Sequence, residues 1–169
     1  MWVPLHNPIL LLVNATDPSA TRALNPPGED TKGFDDLYRQ PVYYRNPTTG
    51  ARLSTVQTVE RRFLAQVEVD QERLKRMMGA GDMPMFDVAF VAHVRDLKRR
   101  GYMNTDGTPT IKREDRPIKA VHPIRTSEVL DEWTGANAIW IDEVRSASWG
   151  FTGRRDLFVF FCTKKTEPL

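Results

Sequence analysis

Ala138-Ile139-Trp140-Ile141-Asp142-Glu143-Val144-Arg145 and Asp156-Leu157-Phe158-Val159-Phe160-Phe161-Cys162-Thr163 decide the fold class. Each is of strand length and rich in β-branched and aromatic residues. Between them lies Ser146-Ala147-Ser148-Trp149-Gly150-Phe151-Thr152-Gly153-Arg154-Arg155. A connection this long costs more to close than a two-residue turn. Trp149 and Phe151 are expected to cover a neighbouring surface rather than face water. With Arg154 and Arg155 they form one candidate protein interface.

Working outward, more short strands are expected. Pro8 to Val13 reads as a strand, as does Pro41-Val42-Tyr43-Tyr44-Arg45, followed by the turn Asn46-Pro47-Thr48-Thr49-Gly50. Phe63, Ala65, Val67 and Val69 alternate with Leu64, Gln66 and Glu68, the period of a half-buried strand. Val67, Phe90, Ile141 and Phe158 are expected in the core. Asp70 can cap a helix from Gln71 to Met78, which Gly79 ends. Phe86 to Val94 is a continuous apolar run of strand length, and Arg95 to Gly101 follows as a short helix stopped by glycine. Thr110 to Lys112 and Asp115 to His122 read as strands, with Pro117 at a start or on an edge. Ser127 is placed as the cap of a short helix running through Trp133. Strands with turn signals between them and only brief helices predict a mainly β fold. It is a small antiparallel barrel or sandwich with short helical insertions and an extended N-terminal arm.

The arm is assigned to residues 1–37 and the β-barrel-like body to residues 38–169. Pro4, Pro8, Pro18, Pro26 and Pro27 exclude a long helix from the arm. Residues 1–40 hold three basic and five acidic side chains, whereas residues 144–169 hold five basic and two acidic ones. The two ends are complementary in sign, so in a ring of copies one subunit's arm could meet the next subunit's body. The arm is expected to run across an adjacent subunit, with Ile9, Leu10, Leu11, Leu12 and Val13 adding to a neighbour's sheet edge or filling a groove. The competing arrangement is that the arm wraps its own barrel.

Composition limits what the chain can be. Its 169 residues are 40% hydrophobic and 27% charged, ordinary for one globular domain with its own core. A net charge of +2 argues against binding polyanions through bulk charge. One cysteine, Cys162, excludes an internal disulfide, and its apolar strand makes it a small core residue. The apolar stretch Ile9 to Val13 is far short of the ~20 residues that cross a bilayer. With no basic residue before it and Pro8 interrupting it, it does not read as a signal peptide.

No constellation of catalytic residues emerges. His6, His93 and His122 are far apart and lack metal-ligand spacing. Phosphate-loop, dinucleotide-binding and nucleophile-elbow motifs are absent. Asp142 and Glu143 are adjacent, so on a strand they point to opposite faces. The expectation is therefore no catalytic residue, no metal and no cofactor. Basic doublets at Arg61-Arg62, Arg99-Arg100, Arg154-Arg155 and Lys164-Lys165 leave open a small oligonucleotide-binding barrel. Acidic residues interrupt them, and no RNA-binding signature accompanies them.

Three segments, in order, resemble the head-closure and head–tail adaptor proteins of tailed bacteriophages. They are Tyr38-Arg39-Gln40-Pro41-Val42-Tyr43-Tyr44; then Val94-Arg95-Asp96-Leu97-Lys98-Arg99-Arg100-Gly101-Tyr102 with Asp115-Arg116-Pro117-Ile118; then Ile141-Asp142-Glu143-Val144-Arg145 with Arg154-Arg155-Asp156-Leu157-Phe158-Val159. In that family the second segment precedes an Asp-Arg-apolar strand of the barrel wall, and the third is a terminal hairpin. The resemblance spans roughly residues 38–163. The arm and the helix around Arg73 to Met78 have no counterpart in it. It implies a structural, non-enzymatic virion protein that forms a homo-oligomeric ring in the phage neck. That ring completes the DNA-filled head and docks the tail. The implied partners are copies of itself, a portal or adaptor protein, and a tail-terminator or tail-tube protein, with transient contact to DNA in the channel and none to a membrane. The implied location is the virion, with assembly in the bacterial host cytoplasm. A tail terminator or other tail ring protein is the alternative within the same class.

Overall fold

The computed structural model describes residues 5, 7–16, 33–35, 40–42, 58–79, 82–148 and 155–164. The chain divides into two compact units, Met1–Ala15 with Glu60–Leu169, and Thr16–Val59. In the second unit β2 (Gly33–Asp35) and β3 (Gln40–Val42) pair as a short antiparallel ladder. The first unit is built on a seven-stranded sheet. Its strands are β1 (Ile9–Thr16), β4 (Thr58–Glu68), β5 (Val88–His93), β6 (Arg116–Val121), β7 (Val129–Glu132), β8 (Ile139–Ala147) and β9 (Leu157–Lys164). The order across the sheet is β7-β6-β1-β4-β5-β9-β8. The fold is mainly β, as the alternating runs predict.

The ladder does not close into a barrel. β-bulges interrupt β1 at Leu12/Val13, the β6–β7 pairing at Ala120/Val121, and β8 at Ile141/Glu143. Bulges add local twist and bend a sheet. β8 is thereby brought to the segment leading into β6, where Ile141 donates to Asp115 O at 3.0 Å and accepts from Glu114 N at 2.7 Å. Those two bonds tie end strand β8 to the segment just before β6, without closing the sheet.

One face of the curved sheet holds the main core. Ile9, Leu11, Val13, Phe63, Phe90, Ile141, Phe158 and Phe160 are buried in it. Phe63 and Phe160 meet with ring centroids 5.6 Å apart. On the other face α1 (Gln71–Met78) sets Leu74 and Met77 against Ala89, Val91, Val159 and Phe161. Central strands β5 and β9 are thus buried on both sides, which explains their unbroken apolar sequence. The helix has the cap and stop its sequence predicts. Asp70 accepts from Glu72 N at 3.0 Å and Arg73 N at 3.4 Å, and Gly79 follows at φ +81°.

Several expectations are corrected. Ile9–Val13 is an inner strand of the chain's own sheet, flanked by β6 and β4, and each of its five residues is buried. It is therefore unavailable to a neighbour's sheet edge, and this stretch does not belong to a detached arm. Val67 is 41% exposed, while Gln66 and Glu68 on the opposite face are buried. The cause is the chain reversal into α1. Glu68 accepts from Asp70 N at 3.2 Å and from Gln66 Nε2 at 3.3 Å, and pairs with Arg73 at 3.3 Å. Residues 129–132 form strand β7, not a helix begun at Ser127. Thr110 to Lys112 form no strand, although Ile111 is fully buried.

Candidate functional site

A cleft of about 480 Å³ lies beside the junction of β5 and a second helix, α2 (Val94–Arg99). It is lined by Leu5, Pro8, Leu64, His93, Arg95, Asp96 and Arg99. Below its apolar wall, Leu64 packs on Leu10, Leu12 and Val121.

Local sequence builds this corner. Arg100 ends α2 in the helical region, and Gly101 takes φ +75°, a conformation that costs glycine nothing. Gly101 N bonds to Lys98 O at 3.0 Å and Tyr102 N to Leu97 O at 2.8 Å, the paired bonds of a Schellman motif. The reversal turns Tyr102 back against the core and onto β4. There its hydroxyl accepts from Arg62 N at 3.3 Å, and its ring lies under Arg61 with the guanidinium carbon 4.9 Å from the centroid. Asp96 fastens the helix to the same strand by accepting from Leu64 N at 2.9 Å. It also receives Arg100 Nε on both oxygens, at 3.1 and 3.0 Å.

The stretches that carry Arg61-Arg62 and Arg99-Arg100, far apart in sequence, are thus brought side by side through Tyr102 and Asp96. The acids there are already engaged: Glu60 pairs with Arg62 at 2.6 Å, and Asp96 with Arg100. Arg95, Lys98 and Arg99 are exposed. Their spacing of i, i+3 and i+4 is the sequence signal for this cluster, and the doublets alone do not mark it.

The other candidates are dispersed. Trp149, Phe151 and Arg154 lie outside the described residues. Arg155 is exposed and donates to Ser146 Oγ at 3.1 Å. His6 also lies outside the described residues. His122 caps a turn, its Nδ1 accepting from Ile124 N at 3.2 Å and Arg125 N at 3.0 Å. Asp142 accepts from Thr163 Oγ1, and Glu143 pairs with Arg145, so the two neighbouring carboxylates engage different partners. Cys162 is fully buried in the core, and burial, reinforced by the Asp142 charge, pushes its thiol pKa well up. Among the described residues no group of three or more His, Cys, Asp or Glu side chains could hold a metal ion. Nor is any helix among them long and apolar enough to cross a membrane.

A second surface lies at the sheet's end. All four residues of edge strand β7 are exposed. The hairpin joining it to β6 presents Ile124 at 86%, Val129 at 50% and Leu130 at 48% exposure. Arg125 and Glu128 close its turn with an ion pair at 3.1 Å. No protein-family model, curated protein or solved structure matches the chain.

Proposed function

We propose that the chain is a structural protein of a tailed-phage neck, whose copies form a ring between portal and tail. In this reading it closes the DNA-filled head, offers the tail its docking surface, and acts by contact rather than by catalysis. The observation that carries the reading is the β7 edge. An unpaired strand edge is a template for another chain. β7 is short and carries Asp131 and Glu132, but Val129 and Leu130, with Ile124 in the same hairpin, leave apolar side chains exposed there. A ring of identical copies needs two different surfaces on each copy, so that every contact is heterologous and the rotation closes. The strand order supplies two different ends, the β7 edge with Val129 and Leu130, and the β8 edge, whose backbone is already engaged at Ile141 but not along its whole length. The resemblance over residues 38–163 supplies the class of assembly.

Interrupting the gene in the genome that encodes it tests the proposal. Particles lacking the chain are expected as separate heads and tails, with heads that lose their DNA. Wild-type chain supplied in trans restores joining, whereas Val129→Lys with Leu130→Lys folds normally and does not. Complete, infectious particles formed without the chain would overturn the reading.

A further inference from the structure

Helix α2 carries a face that neither the β7 edge nor the β8 edge uses. Arg95, Lys98 and Arg99 stand three and four residues apart, so they project from one side, while Leu97 on the other side is fully buried. All three are exposed, and none of their side chains has a hydrogen-bond or ion-pair partner among the described residues. The neighbouring acid cannot neutralise them, because Asp96 is committed to Arg100 and to Leu64 N. Like charges at this spacing destabilise a helix by roughly 0.2–0.5 kcal/mol per pair. Lys98 and Arg99 lie in the last turn, where the helix dipole favours cations, but Arg95 in the first turn has no such compensation.

We propose that this face binds the phosphate backbone of duplex nucleic acid, without regard to base sequence. The choice of side chains supports phosphate. Of the three unengaged cations on this face, two are arginines, Arg95 and Arg99, and one is Lys98. The planar guanidinium fork matches phosphate oxygens in pairs. Side chains three and four residues apart on a helix have Cβ atoms ~5–6 Å apart, within reach of successive phosphates on one strand. The attraction is local, since the whole chain carries only +2. A duplex is favoured over a single strand because single strands are held by stacking on open aromatic faces. The aromatic ring at this corner, Tyr102, is already covered by Arg61. The inference deepens the neck reading, which implies contact with DNA but assigns it to no residue. It is tested by binding and not by incorporation into particles, so the two can fail separately.

The test is fluorescence anisotropy of the full chain with a short labelled duplex of mixed sequence, over a series of salt concentrations. Three phosphate contacts give a slope of log affinity against log salt of about −2.7, from about −0.9 per phosphate neutralised. Arg95→Gln, Lys98→Gln and Arg99→Gln together should leave the melting temperature unchanged and flatten the slope to near zero. A control with the same charge change on exposed residues elsewhere, Arg76→Gln, Arg113→Gln and Arg125→Gln, should keep the wild-type slope. Equal losses in both variants would mean bulk charge and overturn the assignment. So would a duplex that does not bind at low salt, or a single strand that binds more tightly. Polyglutamate that competes as well as an equal charge of duplex would make the partner an acidic protein and overturn it too.

Discussion

Trp133 meets Phe90 edge to face, with ring centroids 5.1 Å apart at 71°. The contact joins the residue just beyond edge strand β7 to the middle of central strand β5. The four residues of β7 bury nothing themselves, so Trp133 is the side chain that ties this edge to the core. Its backbone N–H reaches Ile118 O at 2.7 Å, extending the β6–β7 pairing by one step. Trp133→Ala should cost about 3–5 kcal/mol, the range for deleting a buried aromatic. Trp133→Phe should cost much less, because the edge-to-face partner remains. Urea unfolding of the two variants checks the order, and equal losses would show that the ring contact is not what matters.

Asp70 decides where α1 begins. Its carboxylate takes two of the amide groups that a helix start leaves unpaired. Asp70→Ala should lower stability by about 1 kcal/mol, and Asp70→Asn by only a fraction of that. Because α1 covers Val159 and Phe161 through Leu74 and Met77, hydrogen exchange should quicken in α1 before it does in β9.

What was readable in the chain is what local physics decides. Asp70 and Gly79 bracket the eight residues of α1 as cap and stop, and the β8 and β9 runs carry their own pattern. What escaped depends on distant partners. Val129 to Glu132 shows no alternation because no residue of β7 is buried, so its only strand signal is the partner strand β6. Val67 keeps the period of its neighbours, yet the turn into α1 covers the opposite face, and the burial pattern of β4 breaks there. Ile9 to Val13 could be read as a strand but not placed, because its pairing with β6 spans more than a hundred residues of chain. The spacing of Arg95, Lys98 and Arg99 is legible in the sequence, but their placement beside Arg61 is not, since it needs β4 and α2 side by side.

Gly101 is required by backbone geometry rather than by space. An added Cβ there would meet no atom within 4 Å, so the cost of substitution comes from φ +75° alone. Gly101→Ala should cost about 1–2 kcal/mol, the penalty of the left-handed region for a residue with a side chain. Gly101→Asn should cost less, because asparagine tolerates that region. Thermal melts order the two. The same substitutions should loosen Tyr102, seen as a change in its ring resonances, since the Schellman bonds aim it at Arg62.

Cys162 supplies a pH dependence whose sign follows from burial. In the folded chain its thiol is raised above the ordinary value of 9.0, by desolvation first and the Asp142 charge second. At low pH the thiol is neutral in both states and contributes no slope. As pH rises through the unfolded value, the unfolded chain releases this proton while the folded chain keeps it. The unfolded state then binds fewer protons, so stability falls with pH. The slope approaches about 1.4 kcal/mol per pH unit once the unfolded thiol is ionised. Cys162→Ala removes this slope, at the separate cost of the lost sulfur contacts. Denaturation midpoints from pH 7 to ~10.5, above the usual thiol pKa of ~8.5, should therefore fall more steeply for the wild type than for the variant. Alkylation gives a second measurement: a thiol-directed reagent should label Cys162 only as fast as the sheet opens. Rapid labelling of the folded chain, or parallel pH profiles for the two proteins, would show that Cys162 is not sealed between β5 and β8.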